Sequence, residues 1–374
     1  MNEYSQSARA ADRARVIELD AQIHELQAQV RVLQLEREPC KQRLDTYKYP
    51  VLTLPNEITS EIFLHFLTPY PDCPPLRGLD SPTSLTHICR KWREIALATP
   101  MLWRALSIEE PDDRAGVVQT WLDRSGSCPL SIKLEHDIPG VGSLNESLIA
   151  MLLYRERWQH VQLALRAQEV VLLGGPMPLL ESLSLTVDRW YYGHPVTSAA
   201  DFPRLRSVTL DDADHGNWLP LSQLTTLTLN EVSGTNYFAL LRGAVNLVYL
   251  CLIRCIHAES GHTLTRLETL VVVDRLGRRQ TLDMLTLPAL LQLQWSRPSD
   301  APGFWNQNHI DSLTSLISRS GCKLQQILLT GASELSQESL RAALPSVPKV
   351  ALDSEYDWYP EQSRGFKDGL GLGP

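Results

Sequence analysis

One short pattern constrains this chain more than anything else in it: an apolar residue, two others, an apolar residue, one other, and a third apolar residue. It occurs at Trp158-Val161-Leu163, Leu180-Leu183-Leu185, Leu205-Val208-Leu210, Leu224-Leu227-Leu229 and Leu247-Leu250-Leu252. It continues at Leu267-Leu270-Val272, Leu290-Leu293-Trp295, Leu324-Ile327-Leu329 and Val347-Val350-Leu352, with successive starts 22, 25, 19, 23, 20, 23, 34 and 23 residues apart. Each copy alternates Leu or Val with short Ser, Thr or Gln, as a half-buried strand does. Helical stripes fall between several copies: Val117, Val118, Trp121 and Leu122; Tyr237, Leu240 and Leu241; Ile310, Leu313, Leu316 and Ile317. A unit of this size cannot bury its apolar face alone, so neighbours must stack. Parallel strands joined by crossovers of this length predict a curved solenoid, strands on the concave side and helices or loops on the convex one.

Two weaker copies, Pro129-Ile132-Leu134 and Trp103-Leu106-Ile108, extend the array toward the amino terminus. Seven of the eight gaps lie within, or one residue below, the spacing of leucine-rich repeats. The usual Asn or Cys after the strand is seldom present, Asn230 being the best case. The expected class is therefore α/β, with an irregular leucine-rich-repeat-like solenoid and a curved parallel sheet over 105–360.

Residues 54–103 carry a different signal. Leu54, Ile58, Ile62 with Phe63, and Phe66 with Leu67 recur every three to four residues behind Pro55, which opens a helix. Ile88, Cys89, Trp92, Ile95 and Ala96 form a second stripe, with Arg90, Lys91, Arg93 and Glu94 opposite, and Pro100 stops that helix before Leu102 and Trp103. So short a segment cannot bury all this surface alone. The opening, Leu54-Pro55, Glu57-Ile58, Ile62-Phe63, and the close, Ile88-Cys89-Arg90, Trp92-Arg93 and Pro100 to Trp103, resemble the start and end of an F-box. The stretch is similar to the F-box-like proteins of mushroom-forming fungi. The resemblance implies a domain over 50–104 that docks on a Skp-type adaptor, and through it on a cullin-RING ubiquitin ligase, while the rest of the chain selects a protein substrate. It implies adaptor contacts from Leu54, Pro55, Glu57, Ile58, Ile62, Phe63, Leu67, Ile88, Cys89, Trp92, Pro100, Leu102 and Trp103. The sequence departs from the family in spacing: 38 positions separate Leu54 from Trp92, because residues 68–84 are inserted between the helices. A rival reading from another class is a binding scaffold, whose helical pair only caps the first repeat.

Ahead of this unit, over 1–48, Val16, Leu19, Ile23, Leu26, Val30 and Leu33 alternate steps of three and four, the seam of a left-handed coiled coil. Gln22, Gln27, Gln29 and Gln34 occupy most of the flanking sites where charge would choose a partner. Pairing with a second copy and folding back as a single amphipathic helix both fit. Pro39 is expected to break the helix, although Leu44 and Tyr47 keep its register, so that a kinked continuation into residues 47–55 also fits.

Composition narrows the chemistry. The net charge of −8 argues against a nucleic-acid or anionic-membrane surface. Seven scattered cysteines suit reduced thiols in cytoplasm or nucleus. No apolar run is long enough to cross a membrane, and no secretory leader is evident. Arginine outnumbers lysine 28 to 7, which codon usage accounts for; in a ligase receptor it would also leave few acceptors for self-modification. No phosphate-binding loop, G-x-S-x-G elbow or H-E-x-x-H occurs. Cys251 and Cys255 with His257 and His262, and Asp211, Asp212, Asp214 and His215, read as core thiols and a solvated turn rather than as metal sites. No catalytic residue, cofactor or metal is expected. Recognition would fall on the strand face between the core positions, at Ser184, Thr209, Thr228, Tyr249, Val271 and Gln294, centred on Tyr249 and Val271. Because Arg is absent from those strand positions, the expected ligand is an unmodified protein surface.

Overall fold

The structure, a computed structural model, describes residues 3–47, 49–109, 115–135, 146–166, 169–187, 201–211, 219–232, 235–255, 261–274, 280–297, 305–331 and 336–353. The expected tail at 362–374 lies outside them, as do residues 354–361, His257 and the Asp212 to His215 turn. The chain forms two compact units, Met1–Glu61 and Ile62–Pro374.

The first unit is dominated by α1 (Glu3–Thr46). It continues through Pro39, so of the two readings the continuation holds and the break does not. A proline removes one amide donor, and here good helix formers on both sides, with Lys41, Gln42 and Arg43 following, carry the helix past it. A 3-10 turn, Pro50–Thr53, leads to α2 (Asn56–Phe66). The Pro55 carbonyl accepts the Thr59 amide at 3.1 Å, so the helix begins where the sequence places it. The division between the units falls within α2.

In the second unit the end of α2 is followed by α3 (Pro82–Leu85), α4 (Arg90–Leu97) and a 3-10 turn at Pro100–Trp103. Eleven strands then form one sheet, every pair parallel: β1 (Ala105–Glu109), β2 (Leu130–Glu135), β3 (Trp158–Leu165), β4 (Ser182–Val187), β5 (Ser207–Asp211), β6 (Thr226–Asn230) and β7 (Tyr249–Ile253) come first. After β8 (His262–Thr263), the sheet continues with β9 (Thr269–Val273), then past β10 (Leu285–Thr286) to β11 (Gln292–Ser296), β12 (Gln326–Thr330) and β13 (Lys349–Asp353). The two short strands, β8 and β10, pair only with each other. Each of the eleven copies of the sequence pattern coincides with a sheet strand, the two weak ones included. Three of the linking helices, α5 (Ala115–Arg124), α7 (Thr235–Gly243) and α9 (Gln307–Ser320), fall on the helical stripes; α6 (Glu146–Leu152), α8 (Gln280–Asp283) and α10 (Gln337–Ala343) are shorter.

The register explains why the pattern repeats. Ile132 pairs with Val161, Val161 with Leu183, then Val208, Leu227, Leu250, Leu270, Leu293, Ile327 and Val350 in one unbroken row. These side chains are all buried. A second row two residues on, from Leu134 and Leu163 through Leu185, Leu210, Leu229 and Leu252 to Val272, Trp295 and Leu329, fills the same face. A one-residue slip of any strand would expose two of these residues, which fixes the register.

A single apolar core runs from Phe63 in α2 to Val350 in β13. The helices between Ile62 and Trp103 and the strands that follow share one interior. Among the described residues, no helix is long and apolar enough to cross a membrane.

Candidate docking surfaces

The helices between Ile62 and Trp103 sort their apolar residues into two sets. Phe63, Ile95, Ala96, Leu102 and Trp103 are buried. Phe63 meets Trp92 ring to ring at 4.9 Å, and Trp103 stands edge-on to Trp121 at 5.0 Å with the Arg124 guanidinium over its face. Indole Nε1 of Trp103 donates to the Ala96 carbonyl at 2.9 Å, tying the Pro100–Trp103 turn back onto α4. Leu67 and Trp92 pack partly buried against the same core. Cys89 is the N-cap of α4, its sulfur accepting the Trp92 amide at 3.5 Å. Of the residues expected to touch an adaptor, Phe63, Leu102 and Trp103 lie in this interior, and Leu67, Cys89 and Trp92 are half-buried beside it. The reason is spacing: an amphipathic stripe read from sequence merges a buried edge and an exposed edge that lie side by side on one helix.

The second set faces outward. Ile62, Phe66, Ile88, Leu97 and Met101 are all exposed, Ile88 at 59% and Phe66 at 49%. Pro100 is exposed as well. Positions 62 and 66 are one turn apart on α2, and Ile58, one turn before and also exposed, has the same helical spacing. Leu97 follows the inward Ala96 and Met101 precedes the inward Leu102 and Trp103, so neither belongs to the stripe that the helical period marks. In the first unit Leu54 is half-buried, while Pro55 and Glu57 are exposed. Exposed apolar neighbours such as Ile62 and Phe66, one turn apart on the same helix, are the kind of surface that contact with a partner uses.

The inserted residues 68–84 are folded onto the sheet. The Pro74 carbonyl accepts the Ser107 amide of β1 at 2.8 Å, and Pro75 bridges Ser107 in parallel fashion. The Ser131 hydroxyl of β2 donates to the Pro71 carbonyl and lies 3.3 Å from the Cys73 sulfur. The Tyr70 hydroxyl donates to Gln159 Oε1 of β3 at 2.8 Å, and its ring lies between the Arg104 guanidinium, 3.9 Å away, and the edge of His160. Burial pushes the Tyr70 phenol up to about 12, the Arg104 charge opposing it, so the hydroxyl stays a donor. The insertion therefore covers the edge of β1 and the outward face of β2 and β3.

Beyond it, over β4 to β6, the outward positions are half-buried or exposed, whereas at β7 and β9 Cys251, Ile253, Val271 and Val273 are covered. Ser184, Thr209, Thr228, Cys251, Val271 and Gln294 pair in one continuous row, with Tyr249 in the row beside it. Ser184, Thr209, Thr228 and Gln294 are half-buried, as strand faces are. Val271 is 1% exposed and belongs with Cys251, Ile253 and Val273 to a separate apolar cluster against which Tyr249 packs. Val271, expected at the centre of recognition, is therefore covered within this cluster. At the other end of the row, His160, Glu181, Ser182, Arg204, Arg206 and Ser207 line a shallow depression. Gln159 Nε2 donates to Glu181 at 2.9 Å, and the Arg206 guanidinium donates to the Leu205 carbonyl at 3.0 Å. Arg204 and Arg206 precede the strand, outside the alternating positions, and so escaped the sequence reading. The strand rows lack Arg, but this end of the face does not.

Burial pushes both Cys251 and Cys255 up to about 12, and Cys255 Sγ donates to the Leu229 carbonyl at 3.3 Å. Among the described residues no three His, Cys, Asp or Glu side chains gather as a metal would require. Compared with known proteins, the sequence matches no family model and no curated protein.

Proposed function

We propose that this protein is a non-catalytic substrate receptor of the F-box type, with a leucine-rich-repeat-like solenoid as its binding domain. The observation that carries the reading is the outward apolar set. Ile62, Phe66, Ile88, Leu97 and Met101 remain exposed although Phe63, Trp103 and their neighbours already give the helices a complete core. Surface surplus to the fold in this way is what docking on a Skp-type adaptor needs, and the adaptor would link the chain to a cullin. Eleven parallel strands in sequence order, at the spacing of the repeats, support the solenoid. Its outward row, Ser184, Thr209, Thr228 and Gln294, together with the depression at Arg204 and Arg206, is the face offered to a protein substrate. Ubiquitin transfer would be accelerated by position alone, a charged conjugating enzyme supplying the chemistry at high effective concentration.

The test is co-purification of the full chain with a Skp-type adaptor, wild type against the pair Ile62→Asp and Phe66→Asp. Retention by the wild type and loss in the variant, with its thermal unfolding unchanged, is the expected result. Failure of the folded wild-type chain to retain the adaptor sinks the ligase reading. A second reading, a scaffold capped by its own helices, is favoured by the Pro74 to Ser107 bond and by the core that runs from the helices into the sheet. That reading survives if the adaptor test fails.

A further inference from the structure

We propose that α1 forms a parallel, in-register, two-stranded coiled coil with α1 of a second copy of this chain. The seam residues Val16, Leu19, Ile23, Leu26, Val30 and Leu33 are 40–62% exposed along the helix. In a heptad written from Val16 as the first position, the first and fourth positions from Val16 to Leu33 are divided between β-branched residues and leucine. Val16, Ile23 and Val30 are β-branched and stand at the first position; Leu19, Leu26 and Leu33 stand at the fourth. That division selects two parallel strands over three or four. The helix surface already carries a matching hole, a shallow apolar depression among Ile23, Leu26, Gln27 and Val30, with Arg31 beside them. Two first positions, a fourth and a fifth make up the four-residue socket into which a leucine of the facing helix inserts.

Charge chooses the orientation. The central flanking sites are glutamines, Gln22, Gln27, Gln29 and Gln34, and are indifferent. The outer ones are Arg15, Asp20, Glu36 and Lys41. In a parallel pair the flanking site before one heptad faces the site five residues later on the partner. Arg15 then meets Asp20 and Glu36 meets Lys41, each twice by symmetry, while Arg37, the first position after the seam, faces its own copy at the end of the paired stretch. An antiparallel pair centred on the same seam sets only Arg15 against Glu36. The ion pair that Arg15 makes with Glu18 on its own helix, 2.7 Å long and exposed, is weak competition. The fourth position of the next heptad is Cys40, an exposed free thiol. In the parallel register it faces its own copy within disulfide reach.

The experiment uses the full chain. Sedimentation or light scattering at micromolar concentration is expected to give twice the chain mass, falling to one chain in the double variant Ile23→Lys, Leu26→Lys while the thermal transition stays. Glu36→Lys is expected to weaken the dimer roughly ten-fold, and adding Lys41→Glu to restore it. Mild oxidation is expected to link the copies through Cys40, or through residue 33 in a Leu33→Cys, Cys40→Ser chain in case Pro39 displaces residue 40. A wild-type monomer, or a dimer indifferent to Ile23→Lys and Leu26→Lys, overturns the proposal. A dimer that neither thiol links overturns the parallel register.

Discussion

Phe63 and Phe66 are three positions apart on one helix and have opposite surroundings, 1% and 49% exposed. Phe63→Ala would remove the ring that meets Trp92 and leave a cavity, at a cost of about 3–5 kcal/mol in urea unfolding. Phe66→Ala should cost under about 1 kcal/mol and leave the unfolding midpoint near that of the wild type. Equal losses at the two positions would contradict the sorting of these helices into an inner and an outer face. The buried thiols set a second expectation. Cys251 and Cys255 are raised from the ordinary thiol value of 9.0 to about 12 by burial, so the folded chain holds their protons more tightly than the unfolded chain does. The stability that linkage assigns to them is complete below pH 9.0 and is lost as pH rises toward 12. Tyr70, raised to about 12 by burial, acts in the same sense. Denaturant midpoints should therefore fall steadily across that alkaline window, and the fall should be shallower in Cys251→Ala; an identical pH profile in the variant would refute the assignment.

At the scale of elements, the strands were legible because one inward face imposes a period of two, and SLSLT or TTLTL cannot satisfy it in any other register. The helices α5, α7 and α9 were legible for the corresponding reason at their own period. Two strands broke the rule: YLCLI in β7 and TLVVV in β9 are apolar at nearly every position, the mark of a strand covered on both faces. Val271 accordingly lies in the outward row yet is covered, because alternation alone does not separate an open outward face from a buried one. The insertion at 68–84 was not legible. It has no period, and its partners Ser107, Ser131 and Gln159 lie far along the chain. Its position against β1 predicts its role, since an uncovered edge strand is a template for aggregation. Replacing residues 69–75 with a Gly-Ser linker should release the Ser107 amide, lower the thermal midpoint and produce soluble aggregates on size exclusion. A monodisperse variant of unchanged stability would show that the segment is decoration.

For the sheet as a whole, connectivity sets how stability is distributed. Each strand bonds only to the strands before and after it, so opening propagates along the row and the two ends need not be alike. At the β1 end the edge is bonded by Pro74, and the same core continues beneath it into Phe63, Trp103 and Trp121. At the β13 end, among the described residues, the last strand is met by β12 on one side and by α10, whose Gln337 donates to the Val350 carbonyl at 3.3 Å. Val350 and Val347 are 6–7% exposed, against 0% for Leu106 and Ile108 in β1. Local opening should accordingly cost less at β13 and more toward β1. Amide hydrogen exchange followed by peptide mass should report protection that is high from β1 to β11 and falls through β12 to β13. Removing the Pro74 to Ser107 bond with the linker variant should carry the loss to β1 while leaving β5 to β9 unaltered. Equal protection of the two ends in the wild type would mean that the helices and the insertion do not stabilise the edge they cover, and the scaffold-cap reading would lose its main support.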